Sequence, residues 1–297
     1  MNINNIISSI DNFLYKVHYK LGLKSAFYSR EQLLLRYVSR DAKHLHPEDY
    51  KYAEHPEQSK IAWVFWAQGE EKLLPILKQC YESIKRNCGE YQITFVTMEN
   101  VDSYVDIPKY IMEKVEKGQI SLTHFSDFLR VSLLNKWGGY WVDVTLFLSK
   151  PLLNRSSLFT IRQPYDERHV SKCMWTGYLW YMPKGHPLAY FLSDYLTQYW
   201  KTHDKVVDYL LIDYAIRVFY LKNKTFASEI DGLPLSNPDL YFFQSPKCED
   251  PFDIEKWCQI CENTSFFKTT WKCHYKEISG CDFTFYGKLI NSFVDLL

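Results

Sequence analysis

Residues 121–151 read SLTHFSDFLRVSLLNKWGGYWVDVTLFLSKP. Leu122, Phe125, Leu129, Ser132 and Leu133 recur at steps of three and four, which puts them on one side of a helix running to about Lys136. The pair Gly138-Gly139 stops that helix, and the apolar strand YWVDV begins at once. Asp143 stands at the carboxyl end of the strand, where open α/β sheets bind their ligands. Asp127 and Arg130, three residues apart, share a helix face on which a carboxylate and a guanidinium can meet the same ligand. Each feature alone is ordinary, since an i,i+3 Asp–Arg pair is usually a surface ion pair and a strand-end Asp is usually a cap. Their succession within one short stretch carries the information.

The segment before this stretch supplies IAWVFW from Ile61, a helix over 72–87, the strand YQITFVT and a helix over 108–117. That βαβα order predicts an α/β fold with a mainly parallel sheet and helices on its faces. After Pro151 come β-rich segments at 158–162 and 174–182, aromatic helices over 187–202 and 205–221, and a turn-rich tail from Asp231. No repeat or flexible linker interrupts 61–297, which is expected to form one unit. Residues 1–60 differ from it: Lys16, Lys20, Lys24, Arg30, Arg36, Arg40 and Lys43 face only Glu31 and Asp41 between residues 12 and 43. Ile3, Ile6, Ile7, Ile10, Phe13, Leu14 and Val17 follow the period of a helix face. This basic, helical N-terminal extension either lies on an anionic membrane surface or packs on the main unit with its basic side in water.

Composition narrows the function. The 35 basic and 35 acidic side chains of the 297 residues cancel, which gives no hint of nucleic-acid binding. Aromatic residues make up 17%, against 11 Gly and 12 Pro, so disorder and low complexity are excluded. No run of about 18 uninterrupted apolar residues suggests a membrane span. The start MNINNIISSIDNFLYK does not have the form of a secretory signal, so a cytoplasmic protein with reduced thiols is expected. Of the eight cysteines, Cys258-x-x-Cys261 with Cys273, His274 or Cys281 offers a zinc set, although the spacing matches no standard ribbon.

SDFLRVSLLNKWGGYWVDVT resembles the core of the capsular polysaccharide synthesis glycosyltransferases, relatives of glycosyltransferase family 32 and, more distantly, of the clostridial glucosylating toxins. IAWVFWAQGEEKLLPILKQCYESIKRN, YQITFVT and VDSYVDIPKYI extend the resemblance over about residues 60–155. It implies a GT-A-type fold and transfer of a hexose, galactose or glucose, from a UDP-sugar, usually with retention and usually with Mn²⁺ or Mg²⁺. It further implies that Trp66, Ala67 and Gln68 pack on the nucleotide base, and that Ser126, Asp127 and Arg130 hold the donor sugar and its phosphate. Asp143 matches the first acid of an Asp-x-Asp metal motif whose third position is here Thr145, so one metal carboxylate is missing. His274 is the candidate further metal ligand, Lys268 and Lys272 the candidate phosphate cations, and Asp213 the candidate carboxylate near the reacting carbon.

The function these readings favour is a capsule or surface polysaccharide glycosyltransferase acting on a lipid-diphosphate-linked oligosaccharide, peripheral on the inner face of the plasma membrane. A toxin-like transferase acting on protein, a non-catalytic nucleotide-sugar-binding module and a zinc-organised protein are the alternatives.

Overall fold

The computed structural model describes Ile10, Phe13, Leu14, Lys16 and residues 24–54 and 56–291. Most of the N-terminal apolar stripe, Ile3, Ile6, Ile7 and Val17, lies outside the described residues; Ile10 and Phe13 are exposed.

The chain runs α1 (Lys24–Asp41), β1 (Ile61–Phe65), α2 (Pro75–Arg86), β2 (Gln92–Val96), α3 (Lys109–Glu116), α4 (Leu122–Trp137) and β3 (Gly139–Val142). It continues with β4 (Leu146–Leu148), β5 (Phe159–Thr160), β6 (Leu179–Met182), α5 (Pro187–Thr202), α6 (Leu211–Lys222) and α7 (Lys224–Gly232). The last part contains α8 (Ile254–Asn263), β7 (Phe266–Lys268), the short strands β8 (Ile278–Ser279) and β9 (Asp282–Phe283), and α9 (Phe285–Asn291).

A five-stranded sheet in the order β2-β1-β3-β6-β5 forms the centre. β1 pairs in parallel with β2 and β3, while β6 pairs antiparallel with both β3 and β5, so β6 alone is reversed. The α/β class and the mainly parallel central sheet expected from the sequence are present. Because side chains alternate across a strand, each strand feeds two cores. Trp63, Phe65, Trp141, Trp180 and Met182 face one, with α1, α4, α5 and α6; Ala62, Val64, Tyr140, Val142 and Tyr181 face the other, with α2, α8, β7 and α9. Burial on both faces explains why these strands read as continuous apolar runs.

The helix, glycine turn and strand of the opening stretch form as predicted. Ser121 caps α4 by accepting a hydrogen bond from the His124 N–H at 3.3 Å. Gly139 has φ of +99°, and a Cβ there would lie 2.3 Å from the Ile61 carbonyl oxygen, so only glycine lets β3 dock against β1.

One helix differs from expectation. The segment expected as helical from 205 begins its helix only at Leu211. The Tyr199 hydroxyl donates to the Lys205 carbonyl at 3.0 Å and accepts from the Val207 N–H at 2.8 Å, and the Asp208 carboxylate accepts from the Leu210 N–H at 2.7 Å. These side chains satisfy the backbone locally in place of a helical ladder.

α1 is part of the core, with Leu34 and Val38 fully buried. It reaches two loops at once. Glu31 forms a buried ion pair with Lys172 at 2.7 Å, and Arg30 pairs with Asp208. No helix among the described residues is long and apolar enough to cross a membrane.

Candidate active site

The parallel winding brings α4 beside the carboxyl end of β3, and the site is built there. Asp143 follows β3 directly and is fixed by hydrogen bonds through both its backbone and its side chain. Its N–H donates to the Tyr178 carbonyl at 3.0 Å, and its carboxylate accepts the Thr145 N–H at 3.0 Å and the Thr145 hydroxyl. Thr145 thus closes an Asx-type turn that fixes the carboxylate's direction. One turn of chain later, β4 pairs antiparallel with β7, and Leu146 lies opposite Lys268. That register delivers the Lys268 ammonium to Thr145 Oγ1 and to within 3.5 Å of Asp143 Oδ1. Burial alone would raise the Asp143 carboxyl, but Lys268, the two Thr145 bonds and Arg130 outweigh it and hold the group below the ordinary carboxylate range.

Asp127 and Arg130 meet as their spacing required, with Arg130 Nη2 3.2 Å from Asp127 Oδ1. Both are nearly buried, which separates them from an ordinary surface pair. The guanidinium also lies over the Trp141 ring, 5.0 Å from its centroid. Gly177 closes the other side: a Cβ there would stand 3.3 Å from Arg130 Nη1. Arg130 Nε has no hydrogen-bond partner among the described residues. Burial, offset by Arg130 and reinforced by Asp143, pushes the Asp127 carboxyl up to about 6.

Asp213, from the first turn of α6, joins the same group. Its carboxylate accepts the Trp175 indole N–H at 3.0 Å, and burial with the nearby Asp127 raises it to about 6. Asp127, Asp143, Asp213, Arg130 and Lys268 therefore form one electrostatically coupled cluster drawn from α4, β3, α6 and β7.

The remaining expected residues fall elsewhere or on its margin. Trp66, Ala67 and Gln68 form the turn after β1. The Trp66 N–H donates to the Val96 carbonyl at 3.1 Å and the Met98 N–H to the Ala67 carbonyl at 3.2 Å, while the buried Trp66 indole N–H has no partner among the described residues. Ser126 is half-buried beside Asp127 on α4. Lys272 and His274 are exposed on the loop after β7. The Lys272 ammonium lies over Trp271, and neither residue bonds to Asp143 among the described residues. The expected Asp143–His274 pair is thus not assembled, because the chain leaves β7 outward after placing Lys268 on Asp143.

The reading from sequence also missed Trp175, Tyr178, Tyr209 and Tyr241. Tyr178 lies under Lys268, 4.7 Å from the ammonium to the ring centroid, and its hydroxyl meets that of Tyr241 at 3.0 Å. Tyr209 is exposed, packs edge-on to His124 and feels the charges of Asp127 and Asp143. Two of these have a topological cause: β6 is reversed, so the residues just before it, 175–178, arrive at the end of the sheet where β3 finishes. The one sequence signal for this was Gly177 set among aromatics.

The donor set does not fit a divalent metal. Mg²⁺ or Mn²⁺ favours about six oxygen or nitrogen ligands, yet Asp143 and Thr145 already hold an ammonium. A divalent ion about 4 Å from that ammonium would be repelled by roughly 8 kcal/mol at an effective dielectric near 20. Among the described residues no group of three His, Cys, Asp or Glu side chains is placed to hold a metal, which also leaves the cysteine-based zinc set unassembled.

A family model described as "Capsular polysaccharide synthesis protein" matches residues 15–289. No curated protein matches the chain. Among solved structures, the chain is similar to one titled "PaToxG Glycosyltransferase", with 15% identity, a TM-score of 0.40, and coverage of 69% of this chain and 81% of that one.

Proposed function

We propose, from the premise that this chain belongs to the capsular polysaccharide synthesis protein family, that it is a glycosyltransferase moving a hexose, galactose or glucose, from a UDP-sugar to a lipid-diphosphate-linked oligosaccharide. The observation that carries the reading is the convergence of the Asp127–Arg130 pair, Asp143 and Lys268 at the carboxyl end of β3. Breaking the bond between the anomeric carbon and the diphosphate sends its electron pair to a phosphate oxygen and leaves positive charge on the sugar ring. The site matches both needs. Lys268 supplies positive charge where the diphosphate departs, and Asp127, steered by Arg130, accepts hydrogen bonds from sugar hydroxyls. Asp213, oriented by Trp175, offers a carboxylate to the developing positive charge. The acceptor hydroxyl oxygen then bonds to the anomeric carbon, and its proton passes to the departing phosphate oxygen, the retaining course.

Exposed Tyr209 and Tyr241 at the rim give an acceptor sugar flat surfaces on which to pack. The basic N-terminal extension suits an acceptor embedded in the inner face of a membrane. The test is calorimetric titration of the purified chain with UDP- and GDP-sugars, followed by assays of donor hydrolysis and transfer to lipid-linked acceptors. Binding and turnover of one UDP-hexose supports the reading; a folded chain that binds and turns over none of them ends it.

A further inference from the structure

We propose that Lys268 is the resident counter-cation for the donor diphosphate, and that the site binds its nucleotide without a divalent metal ion; this rests on the transferase reading above. The first ground is occupancy. The ammonium sits on Thr145 Oγ1 and 3.5 Å from Asp143 Oδ1, two of the three side-chain oxygens of the strand-end motif. An ammonium has three N–H donors. One goes to Asp143 and one to Thr145, which leaves a third for a phosphate oxygen.

The second ground is that the lysine is built in. The Lys268 N–H donates to the Leu240 carbonyl at 2.7 Å, and Gln244 Nε2 donates to the Lys268 carbonyl at 3.3 Å. The next residue, Thr269, sends both its N–H, at 2.9 Å, and its hydroxyl, at 2.8 Å, to the Thr145 carbonyl. The backbone that launches Lys268 is therefore stitched to the backbone of the Asp143 turn, and the stem is supported on the Tyr178 ring. Thr145 at the motif's third position fits this arrangement, since a hydroxyl accepts from an ammonium without adding a second negative charge. Asp143 becomes a positioning residue that aims Lys268.

The test is the binding of UDP to the full chain, measured by calorimetry in EDTA and again in millimolar Mn²⁺. The expected result is an affinity equal within about twofold in the two conditions. Lys268→Met, checked for its fold by circular dichroism, should weaken UDP binding about 10- to 100-fold in both, and Lys268→Arg should recover part of the loss. Binding that vanishes in EDTA, returns with Mn²⁺ and is indifferent to Lys268→Met overturns the proposal while leaving the transferase reading standing. No UDP binding by the folded chain in either condition overturns both.

Discussion

Arg130 and Lys268 are the two cations of the site, and they are held in opposite ways. Arg130 is almost enclosed, pressed between Trp141 and Gly177 and tied to Asp127. Its planar fork has little freedom left, which suits a group that fixes the direction of a carboxylate. Lys268 sits nearer the rim, a point charge on a flexible stem laid over Tyr178, with a neighbour on only part of its surface. The difference separates two tasks within one site. The interior half orients, and the rim half neutralises charge that arrives with a ligand and leaves with it.

That division can be broken first at Asp143, which pairs with Lys268 and feels the charge of Arg130. Asp143→Ala should lower transfer by about 10³-fold while leaving the circular dichroism spectrum unchanged. Wild-type turnover would show that the rim half needs no aiming. Next, Arg130→Ala should be mainly a stability variant, because it strands the buried Asp127 carboxylate. A loss of about 3–5 kcal/mol, read by urea denaturation, is expected, and a loss no larger than that of a surface Arg would refute the interior role.

The third prediction concerns pH. Asp127 and Asp213 have carboxyls raised from 3.8 to about 6. Between those values the folded chain holds protons that the unfolded chain has released, so stability falls as pH rises from about 4 to about 6 and then levels. Asp213→Asn should remove its share, raising stability by up to about 3 kcal/mol at pH 7 and by little at pH 4. Melting curves at the two pH values decide it, and equal shifts at both would show that the carboxyl is not raised. Turnover of the native chain should in turn fall below about pH 6 as Asp127 takes up its proton. The smallest effect is expected from Thr145→Val, which removes one hydroxyl between Asp143 and Lys268. It should weaken UDP binding by about tenfold, whereas an unchanged affinity would mean that Asp143 aims Lys268 unaided.

The two halves were also unequally legible in the sequence. Asp127, Arg130 and Asp143 could be read because helix spacing and the end of a strand are local properties, and Gly138-Gly139 marked where one became the other. Lys268 was only one of several basic residues in a late segment, named together with Lys272 and His274. What selected it was the pairing of β4 with β7, across more than a hundred residues, and no local pattern encodes a register of that span. The aromatic residues before β6 were hidden for a related reason: an apolar strand looks alike in either direction, and the reversal of β6 is what carries Trp175 and Tyr178 to the site.

The contacts of α1 bear on where this protein can be cut. Ile61, where the α/β winding starts, looks like a natural boundary for a shorter fragment. A fragment beginning there would remove Glu31 and leave the Lys172 ammonium buried without a counter-ion, and would open the cavity now filled by Leu34 and Val38. Lys172 belongs to the loop leading into Trp175, and Asp208, which would lose Arg30, to the loop carrying Tyr209. Such a fragment would keep every residue of the charged cluster and lose the brace behind it, so the shortest useful piece starts at Lys24 or earlier.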